Sequence, residues 1–528
     1  MSVDVMAAAG LLREFADAEV LEPADVQVAQ RLTALAGDED ERVSLAVAMT
    51  VRALRGGSVC VELRTVAEQV GIPGLPWPES DEWMAAVEAS PLRGSPEVLH
   101  VHDDLLYFDR YWREEQQVAE DLLAMLSTRE AEAKPDVARL FPPGFEEQRE
   151  AAQIALSQGL TVLTGGPGTG KTTTVARMLA LFAEQAEMVG SSRLRIALAA
   201  PTGKAAARLQ EAVQLEVERL DAVDQERLAG LRATTLHRLL GWRPDSSSRF
   251  RHHRGNRLPH DVIVVDGLSG RADARIAALQ TSHRFGESIG ELAAAIRVGD
   301  ADRVVEVLRA GGEHIEWIEN SDPSPHLRKV VVPLALELRK AALLGDDAAG
   351  LATLDEHRLL CAHRRGPFGV AHWNRQVERW LVEATGEPIW SPWYPGRPVL
   401  VTSNDYGLRL FNGDTGLTVL RDGVLRAVIA GGEEPLTFAT SRLADVETMH
   451  AMTIHKSQGS QADQVTVLLP PAESRLLTRE LLYTAVTRAK SRVRLLGSEA
   501  EVCAAIDRRA VRATGLRQRL KAAALTGD

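Results

Sequence analysis

The chain has 528 residues, too many for one hydrophobic core, so several domains are expected. Its composition, 45% hydrophobic and 25% charged, is that of soluble globular proteins and excludes disordered and fibrous classes. A net charge of −12 argues against a chain-wide electrostatic grip on nucleic acid, while leaving room for a local basic groove.

The first residues lack the basic and apolar regions of an export signal, and no apolar run approaches the roughly 18 residues of a membrane span. Cys60, Cys361 and Cys503 are far apart, odd in number and without metal-ligand spacing, which fits buried thiols in a reducing compartment. A cytoplasmic location without membrane contact is expected.

Residues 1–115 are expected to form a small α+β domain, with helix in "VSLAVAMTVRAL" and strand in "SVCVEL" and "LLYFDRYW". Residues 116–144, with "STREAEAKP" and "LFPPG", are expected to be a linker. From 145 onward short apolar runs alternate with amphipathic helices. "LTVLTG", "LRIALAA", "DVIVVD", "QVTVLLP" and "RVRLLG" suit a parallel sheet covered on both faces, hence an α/β core in two halves. Between about 395 and 450 the pattern turns all-β, with Asn412-Gly413 and Asp422-Gly423 as turn signals, and a small inserted barrel is expected. The arginine-rich C-terminus suits a solvated helix face and a contact surface equally.

"TGGPGTGKTTT" carries chemistry. Gly165, Gly166, Pro167, Gly168, Thr169, Gly170, Lys171 and Thr172, followed by Thr173, fit the phosphate-binding loop between a strand and an amphipathic helix. Its glycines let backbone amides turn onto phosphate oxygens at a helix N-terminus. Lys171 is expected to reach the β and γ phosphates of ATP, and Thr172 to hold Mg²⁺. Downstream, "VIVVDGLSG" delivers Asp266 at the tip of a strand, with Gly267 after it.

The remaining motifs fall in one order: "EEQREAAQIAL", "APTGKAAARL", "TTLHRLLGW", "TSHRFG", "CAHRRGPFGVAHWN", "VTSNDYGLRLFNGDTG", "MTIHKSQGSQADQV" and "LLYTAVTRAKSRVRLL". In these the chain resembles the RecD family, the alpha subunits of exodeoxyribonuclease V among the superfamily 1 5′-3′ DNA helicases. The resemblance implies two RecA-like P-loop NTPase domains with parallel sheets, at 145–285 and 286–528. It also implies an SH3-like β-barrel insertion at about 395–450. Gln148 would read adenine, Gln458 and Gly459 would line the nucleotide, and Arg284 and Arg488 would point at the γ-phosphate. Thr202, His237, Thr453, His455 and Lys456 would contact DNA. Trp373, Trp390, Trp393, Tyr394 and Phe411 are candidates for base stacking, with core packing the commoner role. The segment 241–261 matches the place of a wedge hairpin or is a solvated loop. Implied partners are single-stranded and duplex-end DNA and RecB-like and RecC-like subunits, attached through the N-terminal domain, in double-strand break repair. Nuclease chemistry is assigned to a partner.

One departure stands out. The family ends this strand in Asp-Glu and follows it with a helix, a further strand and a "GDxxQL" motif. Here Gly267 follows Asp266, no such motif occurs, and Gly267 to Gln280 is far short of the roughly 30 residues of a βαβ unit. A block of the first half is therefore expected to be missing, with slow hydrolysis and an unstable first half as consequences, unless "GLSGRADARIAAL" rearranges to fill the space. The leading expectation is an ATP-dependent DNA helicase subunit. The alternatives are a degenerate subunit that binds ATP or DNA without turnover, and a small-molecule P-loop kinase.

Overall fold

The N-terminal region shows how closely local signals and packing agree in the computed structural model, which describes residues 9–126, 134–165, 169–243, 246–266, 276–279, 287–319, 322–405, 407–430, 434–458, 460–509 and 512–525. Helices α1 (Gly10–Asp17) and α2 (Pro23–Ala36) precede α3 (Glu41–Arg55). Helix α2 opens with a capping box between Glu22 and Asp25 and stops at Gly37, in the left-handed region. Asp40 caps α3, which buries the run from Leu45 to Thr50. Strand β1 (Val61–Glu62), α4 (Val66–Val70), α5 (Ser80–Ala89), β2 (Leu99–His102) and β3 (Leu105–Phe108) complete an antiparallel sheet of order β1-β3-β2 and its helical cover. Strand structure in "LLYFDRYW" ends at Phe108. Helix α6 (Asp109–Leu126) then carries the chain past residue 115, because no glycine or proline interrupts it.

The first lobe follows with α7 (Val137–Leu140), α8 (Glu146–Ser157), β4 (Val162–Gly165), α9 (Lys171–Met188), β5 (Ile196–Ala200) and α10 (Gly203–Val217). It continues through α11 (Ala222–Arg227), β6 (Ala233–Thr235), α12 (Leu236–Leu239), β7 (Trp242–Arg243), β8 (Ser246–Phe250), β9 (Val262–Val265) and β10 (Ile276–Leu279). Strands β7 and β8 form the hairpin within 241–261. Fully buried Asp224 is held by Arg139 and Arg227, tying α7 to α11.

The described strands of this lobe form two separate parallel sheets, β6-β5-β9 and β10-β4. The expected single sheet is thus divided, with β9 and β4 each paired on one side. All four residues of β4 are only half-buried, and Ile263 of β9 is 41% exposed, whereas Ala197–Ala200 of β5 are buried. Strands central to a doubly covered parallel sheet are normally buried.

The second lobe is complete by comparison. Helices α13 (Glu287–Val298) and α14 (Ala301–Ala310) lead to β11 (Ile315–Ile318), α15 (Ser324–Leu344), α16 (Asp347–Glu356), β12 (His357–Cys361) and α17 (Val370–Thr385). An inserted antiparallel sheet comprises β13 (Pro398–Val401), β14 (Thr415–Arg421), β15 (Val424–Ile429), β16 (Leu436–Ala439) and β17 (Val446–Thr448), in the order β16-β15-β14-β13-β17. The chain returns through β18 (Ala451–Thr453), β19 (Ala462–Leu468), α18 (Arg479–Val486), β20 (Ala489–Leu496) and α19 (Glu499–Asp507). The parallel order is β11-β20-β19-β12-β18.

Helix α20 (Leu516–Leu525) turns back onto α6. Buried Glu115 accepts hydrogen bonds from the Tyr107 and Thr514 hydroxyls (3.0 and 2.6 Å) and the Gly515 amide (3.0 Å), and pairs with Arg519 at 3.1 Å. The Arg519 guanidinium lies 3.8 Å from the Trp112 ring centroid. Most other basic groups of the C-terminus also have internal partners, including Arg494 with Glu316 and Lys490 with Asp463.

Two predictions follow from these buried groups. Glu115→Ala strands Arg519 and three hydrogen-bond donors, so it should cost about 3 to 5 kcal/mol locally and strip hydrogen-exchange protection from α20; unchanged protection would contradict the clasp. Buried His450, hydrogen-bonded to the Tyr394 hydroxyl at 2.9 Å, has its pKa pushed down to about 3 by burial and then by Arg397. The fold therefore holds it neutral while an unfolded histidine titrates near about 6.5. Its contribution is full above that value and lost as pH falls toward 3. Melting temperature should drop with acidification more steeply in the wild type than in His450→Asn.

Candidate nucleotide and strand cleft

Helix α9 opens at Gly170, whose φ of 78° puts it in the left-handed region and turns the loop into the helix. The Thr174 hydroxyl locks that turn by donating to the Gly170 carbonyl at 2.9 Å. Lys171 Nζ donates to the Gly165 carbonyl at 2.7 Å, and burial lowers its pKa while Asp266 opposes the shift. Thr169 is buried, and Thr172 and Thr173 are half-buried on the first turn. Gly166, Pro167 and Gly168 lie outside the described residues.

Gln148 is buried on α8, and its side-chain amide approaches Gly170 so closely that a Cβ there would lie 4.0 Å from Nε2. The approach to α8 is braced from α9, a feature the motif reading missed. Arg177 Nη1 donates to the Leu140 carbonyl at 2.8 Å, and its guanidinium lies 4.9 Å from the Phe145 ring centroid. Its spacing of six residues from Lys171 places Arg177 on a different face of α9, so the local pattern held no signal for it.

Asp266 is exposed at the end of β9, its amide bonded to the Ala199 carbonyl at 2.8 Å. These residues fit a nucleotide: a left-handed glycine, a lysine drawn into the loop and a carboxylate within electrostatic reach of it. Thr172 and Asp266 would hold a metal, although the described residues contain no group of three or more His, Cys, Asp or Glu placed to do so alone.

From the second lobe comes Arg488, at the end of α18. Its guanidinium bonds only neutral oxygens among the described residues: the Thr484 carbonyl (3.1 Å), the Ser460 carbonyl (3.4 Å) and the Thr487 hydroxyl (3.3 Å). Gln458 is exposed nearby in the chain, while Gly459 and Arg284 lie outside the described residues.

The five residues expected to contact DNA separate. Thr202, His237 and His455 are exposed; the Thr202 hydroxyl caps α10 through the Ala205 amide, and His237 packs edge-on to Phe250. Lys456 is ion-paired with Glu447 at 2.6 Å. Thr453 needs correction: it is buried in β18, and its hydroxyl accepts from the Lys456 amide, so it shapes the following loop rather than presenting itself to a ligand. Trp373 and Tyr394 are also buried, in the core against α15 and α17, and Trp393 packs under Arg397; burial of ring area outweighs stacking there. Trp390 is 89% exposed.

The lobes meet where α10 faces the inserted sheet. Gly203 abuts the Phe411 ring too closely for a side chain, and Lys204 Nζ lies 3.5 Å from both the Gly413 carbonyl and the Thr415 hydroxyl. Lys204 belongs to the "APTGKAAARL" motif, yet nothing in that local pattern points to the partner.

Comparison with known proteins agrees with this architecture. The family model for the N-terminal domain of RecBCD enzyme subunit RecD matches residues 17–107, an AAA domain model matches 148–309, and a UvrD-like helicase C-terminal domain model matches 448–496. A RecBCD enzyme subunit RecD from Mycolicibacterium smegmatis is 65% identical, covering 97% of this chain and 99% of its own length. One from Mycobacterium tuberculosis is 61% identical, covering 97% of each. An ATP-dependent RecD2 DNA helicase from Deinococcus radiodurans is 29% identical over 79% of this chain and 59% of its own. With relatives this similar along almost the whole of both chains, and an α/β framework with parallel sheets, the protein belongs to the RecD family of helicase subunits.

Proposed function

We propose that this chain is an ATP-dependent 5′-3′ DNA helicase subunit of a RecBCD-type helicase-nuclease complex, acting in the cytoplasm on duplex ends during double-strand break repair. The carrying observation is Arg488, a half-buried arginine with only neutral partners among the described residues, presented by the second lobe toward a lobe that holds Lys171. An arginine so placed stabilises charge developing on a transferred phosphoryl group.

Magnesium ATP, when bound, supplies the phosphoanhydride whose cleavage drives movement. Lys171 neutralises the phosphates, the first turn of α9 orients them, and Gln148 selects the base. Thr172 and Asp266 would hold the metal, and Arg284, outside the described residues, is assigned to the γ-phosphate by the family resemblance. Thr202, His237, His455 and Lys456 hold the strand's phosphates, with the inserted sheet acting as an SH3-like wall beside it. RecB-like and RecC-like subunits attach through the N-terminal domain.

A second reading, a subunit that binds but hardly hydrolyses, is favoured by the divided sheet. Gly267 offers no carboxylate to position water. The alignment with the M. smegmatis relative spans 556 positions, yet 97% of 528 residues is about 512, which leaves about 44 positions without a residue of this chain. A strand and its helix would fit that length, and the open sides of β4 and β9 are where a strand would go.

Two experiments test these readings. A fluorescent ATP analogue with Mg²⁺ should bind the wild type and lose most affinity in Lys171→Gln; a wild type that binds no nucleotide would sink the helicase reading. DNA-stimulated turnover should fall about 10² to 10⁴ below that of the M. smegmatis relative, and Gly267→Glu alone should leave it low, since one carboxylate does not rebuild a strand. Turnover equal to the relative's would eliminate the hydrolysis-impaired reading.

A further inference from the structure

The inserted sheet and the second lobe share a rigid seam. Edge strand β17 pairs with β13, Glu447 opposite Leu400, and only Met449 and His450 separate it from β18. Asn374 of α17 donates to the Thr448 carbonyl and accepts from the Ala451 amide, both at 2.8 Å, so one side chain clamps the two strand ends. The Met449 amide donates to the Pro398 carbonyl at 2.9 Å, and buried His450 is hydrogen-bonded to the Tyr394 hydroxyl. Beyond β18, the Ile454 amide donates to the Cys361 carbonyl at 3.0 Å and the Ser457 hydroxyl to the Ile454 carbonyl at 2.6 Å, which pins the turn bearing His455 and Lys456.

Across this seam Lys456 Nζ meets Glu447 Oε2 at 2.6 Å. Among the described residues neither side chain has a second ion-pair partner. The Lys456 side chain is 19% exposed and that of Glu447 57%, so the lysine lies along the protein while the carboxylate faces the water from which a ligand arrives. A pair this open adds little to stability. It matters more to an incoming phosphate, because an anion within hydrogen-bond reach of Nζ also comes close to the Glu447 carboxylate. Repulsion between the two anions favours departure of Glu447, so a strand must break the ion pair before it can use the lysine.

We propose that Glu447 sets the strength of the strand contact at Lys456: it is an internal stand-in for a phosphate, holding the lysine until a phosphodiester replaces it and retaking it when the strand moves on. The inference rests on the helicase reading for the identity of the ligand, single-stranded DNA, and adds to it a carboxylate whose role is release. A motor that moves along a strand must let go of each phosphate as well as grip it, and a lysine without a counter-charge of its own releases more slowly.

The test uses the full chain, its Glu447→Gln, Lys456→Gln and doubly substituted forms, a fluorescent oligothymidylate and a fluorescent ATP analogue with Mg²⁺. Glu447→Gln should bind the oligonucleotide about two- to fivefold more tightly, the range of an exposed pair, and steepen the salt dependence by up to about one. Lys456→Gln should weaken oligonucleotide binding less in the wild-type background than beside Glu447→Gln, a coupling that the double-mutant cycle reads directly. Equal or weaker binding by Glu447→Gln would overturn the proposal while leaving the helicase reading intact, weaker binding showing that Glu447 orients Lys456 instead. Equal losses from Lys456→Gln in the two backgrounds would overturn it as well. If the wild type binds no oligonucleotide, capture of the strand by Glu447→Gln alone upholds the stand-in. Failure of both forms, with the ATP analogue still bound, removes the proposal together with strand contact at Lys456 and leaves nucleotide binding standing.

Discussion

A strand that presents a phosphate-gripping loop is held in place by the strands hydrogen-bonded to its two sides. In the second lobe that condition is met, since β12 and β19 have parallel neighbours on both sides and bury most of their side chains. The loops beyond them inherit that rigidity; Thr453 ends the edge strand β18 and is buried, while His455 two residues later is exposed. Among the described residues of the first lobe β4 is paired only with β10, and β9 only with β5. The relative positions of Lys171 and Asp266 therefore rest on helix packing and on the β5 edge instead of a continuous ladder.

What could be read from sequence follows the same division between local and remote causes. Continuous apolar runs marked the buried parallel strands, and Asp422-Gly423 formed the tight turn between β14 and β15 with φ of 50° and 76°. The phosphate loop was legible because its chemistry lies in eight consecutive residues. That a glycine follows Asp266 was equally visible, whereas which strands pair with β4 and β9 was not, because strand neighbours are set by topology. Aromatic residues were ambiguous for a related reason: Trp390 and Trp393 have similar local settings, yet one is exposed and the other packs under Arg397. Glu115 and Arg519 lie 404 positions apart, and no periodicity in either segment announces their pairing.

That pairing makes α6 a rod held unequally at its two attachments. Toward the second lobe, the fixed point is a buried carboxylate satisfied by three donors on the tail that follows α19 and by the Tyr107 hydroxyl. Toward the first lobe, a side chain at Gly159 would press on the Met125 carbonyl, and Arg254 reaches Glu120 and Asp121 at 3.4 Å, with all three charged groups well exposed. Exposed pairs contribute at most about 1 kcal/mol, whereas breaking a buried one costs several times more. The N-terminal domain is therefore fastened more firmly to the second lobe, although the chain connects it directly to the first.

The electrostatics favour the same arrangement. A chain carrying −12 overall repels a polyanion at long range, so attraction must come from cations concentrated where water is partly excluded. Of the basic C-terminal residues, Arg519, Arg494 and Lys490 are neutralised internally by Glu115, Glu316 and Asp463. Lys204, Arg208 and Arg488 are instead half-buried and without contact ion pairs among the described residues.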